Sequence, residues 1–387
     1  MANSVGRAGP LSTEPLLGVV SEYASNPYLL PSGEHAVSDV AVLLSAPTYY
    51  DLDSVHYSLL PSIRYSDSGS YASLNSNSFH LNGSAIFSSD LDTLSLTAAL
   101  GRDSSLYQNG LASNGVGVRT DSSAAALDWQ RGITERCLIE LDAAWSREQY
   151  SQNAAAAGLD DYRYLSVGGS ASYAVSELDK LQISATSGKY TALDGITGSR
   201  SYSLQLGFNR RLTEIWTLIA AAGYSRSNNS ADVYGAPYFI GTTEYGPSYL
   251  GTAKSTQDGP IYSASLTRTG EAFTLKASAS RIYAPSGFEF LSRQDIAAVD
   301  LTYVRSERWK FGTQIKYQIT ADPGPDGETY TARYYSAQFS ADWNWTPTWV
   351  VSLHTTWVKS SYEAPLLSAQ SSGVSLEISR QFLRIQL

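Results

Sequence analysis

"WKFGTQIKYQIT", residues 309–320, alternates almost without fault. Trp309, Phe311, Ile315, Tyr317 and Ile319 fall on one parity, and Lys310, Gln314, Lys316 and Gln318 on the other. A segment of period two is a β-strand with one apolar and one polar face. The fold turns on which face looks inward. A soluble sandwich buries the apolar face, whereas a transmembrane barrel turns it to lipid and wraps the polar face around a lumen.

The pattern recurs along the chain. "LIELDAAWSREQY" sets Ile139, Leu141, Ala143 and Trp145 against Glu140, Asp142, Ala144 and Ser146, and "SYSLQLGFNRR" sets Tyr202, Leu204, Leu206 and Phe208 against Ser203, Gln205, Gly207 and Asn209. Short connections such as "ITER" (133–136), "SELD" (176–179), "LTEI" (212–215) and "TPT" (346–348) alternate with long polar ones at 104–121, 151–160, 190–199, 227–259, 284–292, 321–330 and 360–371. Tight turns at one rim and long loops at the other describe an up-and-down meander. Counting from a strand at 15–24 gives eighteen strands, centred near 20, 42, 60, 81, 98, 126, 143, 168, 185, 206, 221, 265, 277, 299, 314, 338, 353 and 378. Sixteen is the alternative, if the N-terminal hairpin lies outside the set.

Composition decides the orientation. Only 16% of residues are charged, against ~25% in soluble domains, and the polar faces carry Ser, Thr, Gln, Asn and Gly in place of Lys and Glu. Many strands exceed the ~5–6 residues of globular sheets and reach the ~9–11 that cross a bilayer at a tilt. Trp145, Trp216, Tyr224, Trp309, Trp343 and Trp357 end apolar faces, as aromatic girdles do at bilayer interfaces. No run approaches ~18 apolar residues, so no transmembrane helix is expected. The mean hydropathy of −0.20 suits a barrel, because half of each strand faces the lumen. In lipid the sheet must close, since an open edge leaves backbone groups unpaired.

The expectation is therefore all-β: one closed antiparallel up-and-down transmembrane β-barrel over 15–387, with short periplasmic turns and long extracellular loops, preceded by a periplasmic tail at 1–14. The location implied is the bacterial outer membrane. "MANSVGRAGPLSTEP" has no apolar signal core, so export requires a leader removed upstream of this sequence. A secreted sandwich array is the alternative fold.

The segment "PLLGVVSEYASNPYLLPSGE" (15–34), followed by hairpins with "LxxxW" and "SxLD" turns, resembles the porin-like outer-membrane β-barrels encoded near bacterial exopolysaccharide operons. The resemblance rests on repeated pattern over nearly the whole chain, and "RQFLRIQL" departs from the usual aromatic last residue, with Phe382 slipped in parity. A bulge near Arg380–Gln381, or a tail beyond the last strand, would account for the slip. The resemblance implies a channel for a polar solute, with polysaccharide export foremost and a periplasmic export partner. A general diffusion porin and a structural barrel that anchors or sheathes a partner complex are the alternatives.

Other chemistry is sparse. The net charge is −9 with no basic cluster, so nucleic acid is not an expected partner. The single Cys137 excludes an internal disulfide, a Cys-based zinc site and haem attachment through CxxCH. His35, His56, His80 and His354 lie on separate segments with no metal-ligand spacing. "GVGV" (115–118) carries no nucleotide signature, and there is no GxSxG. Neither cofactor, metal nor enzymatic activity is expected; a barrel hydrolase is the rival on this point.

Parity assigns His56, Arg64, Asp128, Glu140, Asp142 and Arg211 to the lumen, together with Lys276, Asp300, Lys310, Lys316, Asp342, His354 and Glu377. Acids concentrate near 126 and 143 and lysines near 277 and 314, which predicts a transverse field and weak ion selectivity; mutual pairing of these charges is the alternative. Tyrosines and amides on a wet wall suit neutral sugars. Segment 228–259 is either a constriction loop or, preferably, an external loop with its own hairpin. On the outward parity, Arg147, Arg163, Arg226, Arg281 and Arg333 stand just past the apolar band on the long-loop side. Guanidinium forks grip phosphate, so these arginines are expected to contact lipopolysaccharide and neighbouring outer-membrane lipids, with snorkelling to water as the alternative.

Overall fold

In the computed structural model the described residues are 11–27, 29, 36–67, 77–104, 119–151, 159–234, 238–240, 243–245, 249–285, 291–323, 329–363 and 367–386, and among them every regular element is a strand. The first eight are β1 (Leu11–Thr13), β2 (Leu16–Ala24), β3 (Val37–Ser45), β4 (Thr48–Leu52), β5 (Val55–Asp67), β6 (Ser78–Ser88), β7 (Asp92–Ser104) and β8 (Arg119–Thr134). Next come β9 (Cys137–Tyr150), β10 (Tyr162–Ala174), β11 (Asp179–Ala192), β12 (Thr197–Arg211), β13 (Trp216–Tyr234), β14 (Tyr238–Ile240), β15 (Thr243–Tyr245) and β16 (Tyr249–Thr269). The last are β17 (Phe273–Pro285), β18 (Leu291–Ser306), β19 (Trp309–Pro323), β20 (Thr329–Asn344), β21 (Trp349–Tyr362), β22 (Leu367–Gln381) and β23 (Ile385–Gln386).

Eighteen of these form a closed antiparallel barrel. Each barrel strand pairs with the next, and β22 returns to β2 from Leu16↔Gln381 to Ala24↔Gly373. Every centre read from the alternation falls inside one of the eighteen strands. His35, the "GVGV" run and residues 1–10 of the expected tail lie outside the described residues. The tail's remaining stretch contains β1, which pairs with β4 and β23.

Burial fixes the orientation. Val19, Leu141, Val167, Ile183, Leu206, Val299, Ile315 and Leu376 are all exposed, and the register carries their parity without a slip from strand to strand. On the opposite parity Ser199, Ser227, Asn229, Thr320, Ser336, Ser360 and Ser371 are at most 4% exposed. A water-soluble β-protein would show the reverse. On the outer face of β19–β20, Trp309 stacks on Trp343 at 5.8 Å and Tyr317 on Tyr335 at 4.6 Å. The eight residue steps from Trp309 to Tyr317 span about 27 Å along the strand, or about 20 Å at a ~40° tilt. That is close to the ~25 Å apolar band of an outer-membrane barrel.

Four of the short turns share one device. A Ser or Thr hydroxyl oxygen accepts backbone N–H bonds from two and three residues ahead: Thr134 from Arg136 and Cys137, Ser176 from Leu178 and Asp179, Thr213 from Ile215 and Trp216, and Thr346 from Thr348 and Trp349. Such side chains replace the ladder where it must reverse. The "SxLD" signature, and the "LxxxW" signature through Thr213, are therefore turn chemistry.

The closing seam is interrupted at one level. β4 continues β3 past Ala46–Pro47, β1 precedes β2 across Glu14–Pro15, and β23 follows β22 across 382–384. Pro61 sits within β5 opposite this break, and its carbonyl accepts from the Ala46 N–H at 3.3 Å. The N–H that Pro61 lacks would point the same way, towards strands whose own ladder is broken there, so the proline costs little. The slipped parity of Phe382 has the same origin: the ladder stops at Gln381 and resumes at Ile385 against β1.

Above the break, on the inner face, Arg64 of β5 donates to Glu22 of β2 at 2.6 Å and lies 3.5 Å from Asp39 of β3. One guanidinium thus ties three strands at the closure. Arg64→Met leaves two carboxylates without their cation and should lower the stability measured by urea unfolding in vesicles by about 1–3 kcal/mol, less than for a fully buried pair. Arg131→Met breaks only a rim contact with Asp92 and should change it by no more than ~0.5 kcal/mol.

Candidate functional site: the lumen and its mouth

The residues singled out for the lumen occupy three levels. His56, 3.1 Å from Asp51, and Arg211, the last residue of β12, stand at the short-turn rim. Arg64 belongs to the seam. The remainder lie further along the inner parity. Asp128 is directly opposite Asp142, and Gln130 opposite Glu140. Gln130 donates to Asp128 at 3.2 Å, and Ser170 to Glu140 at 3.3 Å. The Asp142 carboxylate lies over Gly168, where any Cβ would collide with it. Across the barrel, Lys276 is opposite Asp300, and Lys310 opposite Asp342. Asp300 accepts from Gln314 at 2.5 Å. Lys316 has Ala298 and Ser336 as its neighbours in register. His354 faces Ser340 and Ser375, and Glu377 faces Ser352 and Val20. Three carboxylates without a cation in register thus stand on β8–β9, while the lysines of β17 and β19 are largely matched. Among the described residues no His, Cys, Asp and Glu side chains are grouped to hold a metal ion.

The lumen is open at the short-turn end, where the inner-facing Lys180, Gln182, Thr186, Lys276 and Lys310 are exposed. Along β5–β10 the wall carries a groove of about 490 Å³ whose lining is mostly apolar, with Leu60, Trp145 and a row of alanines set among Ser58, Asn82, Ser84, Thr97, Ser146 and Ser166, and Tyr164 at its long-loop end. The Tyr164 hydroxyl reaches over Gly188 towards Ser201, a close approach that only glycine allows.

Towards the long-loop end the passage narrows. Tyr162 and Tyr190 pack at 5.2 Å between ring centroids and form one buried cluster with Leu291, flanked by Tyr150, Tyr164 and Tyr283. Leu291 opens β18, and four strands stand between β11 and β18 around the barrel. A contact between them has to cross the lumen. The register shows what frees this segment: the β16–β17 ladder ends at Tyr262↔Arg281, although β16 continues with β13 as far as Tyr249. The end of the β17–β18 hairpin is thus free of β16, and Leu291, on the outward parity that Arg281 and Asp295 share, packs against the inward-facing Tyr162 and Tyr190. Segment 228–259, by contrast, forms the long β13–β16 hairpin that stands beyond the barrel, with β14–β15 as a small separate hairpin. Parity could not reveal the constriction, because it reports the face of a residue and not where a ladder ends.

The five outward arginines are not equivalent. Arg281 is matched to Asp295 at 2.5 and 3.1 Å, and Arg333 to Glu363. Arg226 stands opposite Asp258. Arg147 and Arg163 stand opposite each other.

The lipid-facing apolar band and the closed ladder make this chain a bacterial outer-membrane β-barrel. No family model matches the chain, and no curated protein matches it. Among solved structures, the open form of the ferric-catecholate import receptor Fiu from E. coli K12 has a TM-score of 0.50 at 7% identity, over 97% of this chain and 82% of that one. OpdK from Pseudomonas aeruginosa follows with a TM-score of 0.48 at 10% identity, over 96% and 99%, and OccAB3 from Acinetobacter baumannii with 0.46 at 11%, over 96% and 99%. The likeness is one of fold alone.

The constriction can be tested through Leu291. Its burial contributes about 1.5–3 kcal/mol, whereas an unpaired carboxylate in the same place costs more. Leu291→Asp should therefore release the hairpin end and raise single-channel conductance in a planar bilayer. Unchanged conductance would show that this contact does not narrow the path.

Proposed function

We propose that this barrel is a channel for polar solutes, with polysaccharide as the substrate class. The observation that carries the reading is the character of the lumen: a wall of hydroxyls and small residues leading to a tyrosine-lined narrowing. Eighteen-stranded barrels are wide enough for an aqueous path. A sugar presents hydroxyls on its rim and flat C–H faces, so it matches Ser, Thr and Asn side chains along β5–β10 and the tyrosine rings beyond them. A densely charged lumen would suit ions or acids better. The short-turn rim, open to the periplasm, is where an export partner would deliver the chain.

The alternatives separate on one experiment. In planar bilayers the purified protein should conduct, and neutral linear oligosaccharides should block the current reversibly, more strongly as the chain lengthens. Conduction with no sugar-dependent block would indicate a general diffusion porin. Silence in both the unaltered protein and the Leu291→Asp variant would indicate a structural barrel. Tyr164→Ala, which removes a ring that lines the groove, should weaken the sugar block while sparing conduction, by about tenfold if the ring contributes ~1–1.5 kcal/mol of stacking.

A further inference from the structure

We propose that the outer face of β9–β12, at its long-loop end, is a binding site for a phosphorylated glycolipid of the outer leaflet, held by Arg147, Arg163, Lys189 and Arg200. Arg147 pairs in register with Arg163, and Lys189 with Arg200. Like charges directly opposite one another destabilise a sheet, yet two such pairs stand side by side here. All four side chains are exposed, and none takes part in an ion pair among the described residues.

Elsewhere on the rim three arginines are matched, Arg226 stands opposite Asp258, and Lys359, with Tyr335 and Gln370 in register, stands singly. Arg102 has Asp121 at 2.7 Å, Arg281 has Asp295, and Arg333 has Glu363. Wherever the outer rim carries those cations, a neighbouring strand supplies the acid. On β9–β12 it does not. Of the carboxylates in the adjoining connections, Asp161 and Asp194 accept from the backbone N–H groups of Tyr150 and Ile196, and neither they nor Asp160 forms an ion pair with these cations.

Position names the occupant. Two residues below Arg147 is Trp145, two below Arg163 is Leu165, and two below Arg200 is Tyr202, all exposed on the lipid-facing parity. The cations thus form a ledge just above the apolar band. A ligand satisfying both levels has acyl chains beside the band and more than one phosphate at the ledge. Three guanidinium forks and one ammonium on four adjacent strands fit two phosphate groups better than one. A free phosphate would use the ledge alone.

The test uses the full-length protein in detergent, titrated with a purified bisphosphorylated outer-leaflet glycolipid, the same lipid stripped of phosphate, phosphatidylglycerol, and inorganic phosphate. The unaltered protein should bind the bisphosphorylated lipid and lose about tenfold or more in affinity when Arg147, Arg163, Lys189 and Arg200 are all changed to Gln, which corresponds to losing at least one charge-assisted contact. The control pair Arg281→Gln and Arg333→Gln should stay within about twofold. Because the quadruple change removes opposed like charges, it should unfold no earlier in urea, and its conductance should match that of the unaltered protein. The proposal is overturned if the quadruple variant binds as before, if the dephosphorylated lipid or phosphatidylglycerol binds equally well, or if inorganic phosphate alone saturates the site with the same loss on substitution.

Discussion

Every backbone N–H and C=O in a hydrocarbon layer needs a partner within the protein, and the pairing of β2 with β22 supplies the last of them. The rest of the molecule depends on that closure. It forces an uninterrupted ladder through the membrane, so prolines fall towards the two ends: Pro15, Pro47 and Pro61 at the short-turn level, and Pro260, Pro285 and Pro323 towards the long loops, past the last β16–β17 pair at Tyr262↔Arg281. It also fixes parity around the whole ring, because one residue of slip would turn a strand's Leu and Val into the lumen and its Lys and Asp into lipid. A basic residue at mid-membrane would cost about 2–4 kcal/mol. The three-strand clamp of Arg64, Glu22 and Asp39 lies on the inner face at this seam.

Most of the fold was legible in the sequence because period-two alternation is a local property. The segment at 309–320 shows both of its faces in twelve letters, and the Ser and Thr turn signals mark where each strand reverses. The lumen's chemistry was partly legible for the same reason, since Glu140 and Lys316 could be placed on the polar parity without knowing their neighbours. What escaped was everything that depends on which strand supplies a partner. Arg147 and Arg281 look alike in sequence, each just past an apolar stretch. Only the register sets Asp295 against one and Arg163 against the other. Leu291 escaped because its role follows from the early end of the β16–β17 ladder, a feature with no local signature.

The two faces of the barrel divide the physical roles. The outside is a solvent match: an apolar band between aromatic stacks, with cations above it. The inside is a polar surface of hydroxyls and amides, with acids on β8–β9 and lysines on β17 and β19. The carboxylates of β8–β9 stand on one side of the lumen, and beyond them a cluster of tyrosines closes on Leu291. Both features lie on rigid strands, which hold side chains more firmly than loops would.

Single-cysteine accessibility along β19 tests the inward polar face most directly. With Cys137 replaced by Ser and the protein in lipid vesicles, cysteines introduced one at a time for Gly312, Gln314 and Lys316 should react with a charged, water-soluble thiol reagent. Those replacing Phe311, Thr313 and Ile315 should be protected by lipid. Reaction on the opposite set, or equal reaction at all six, would contradict a barrel with its polar face around an aqueous lumen.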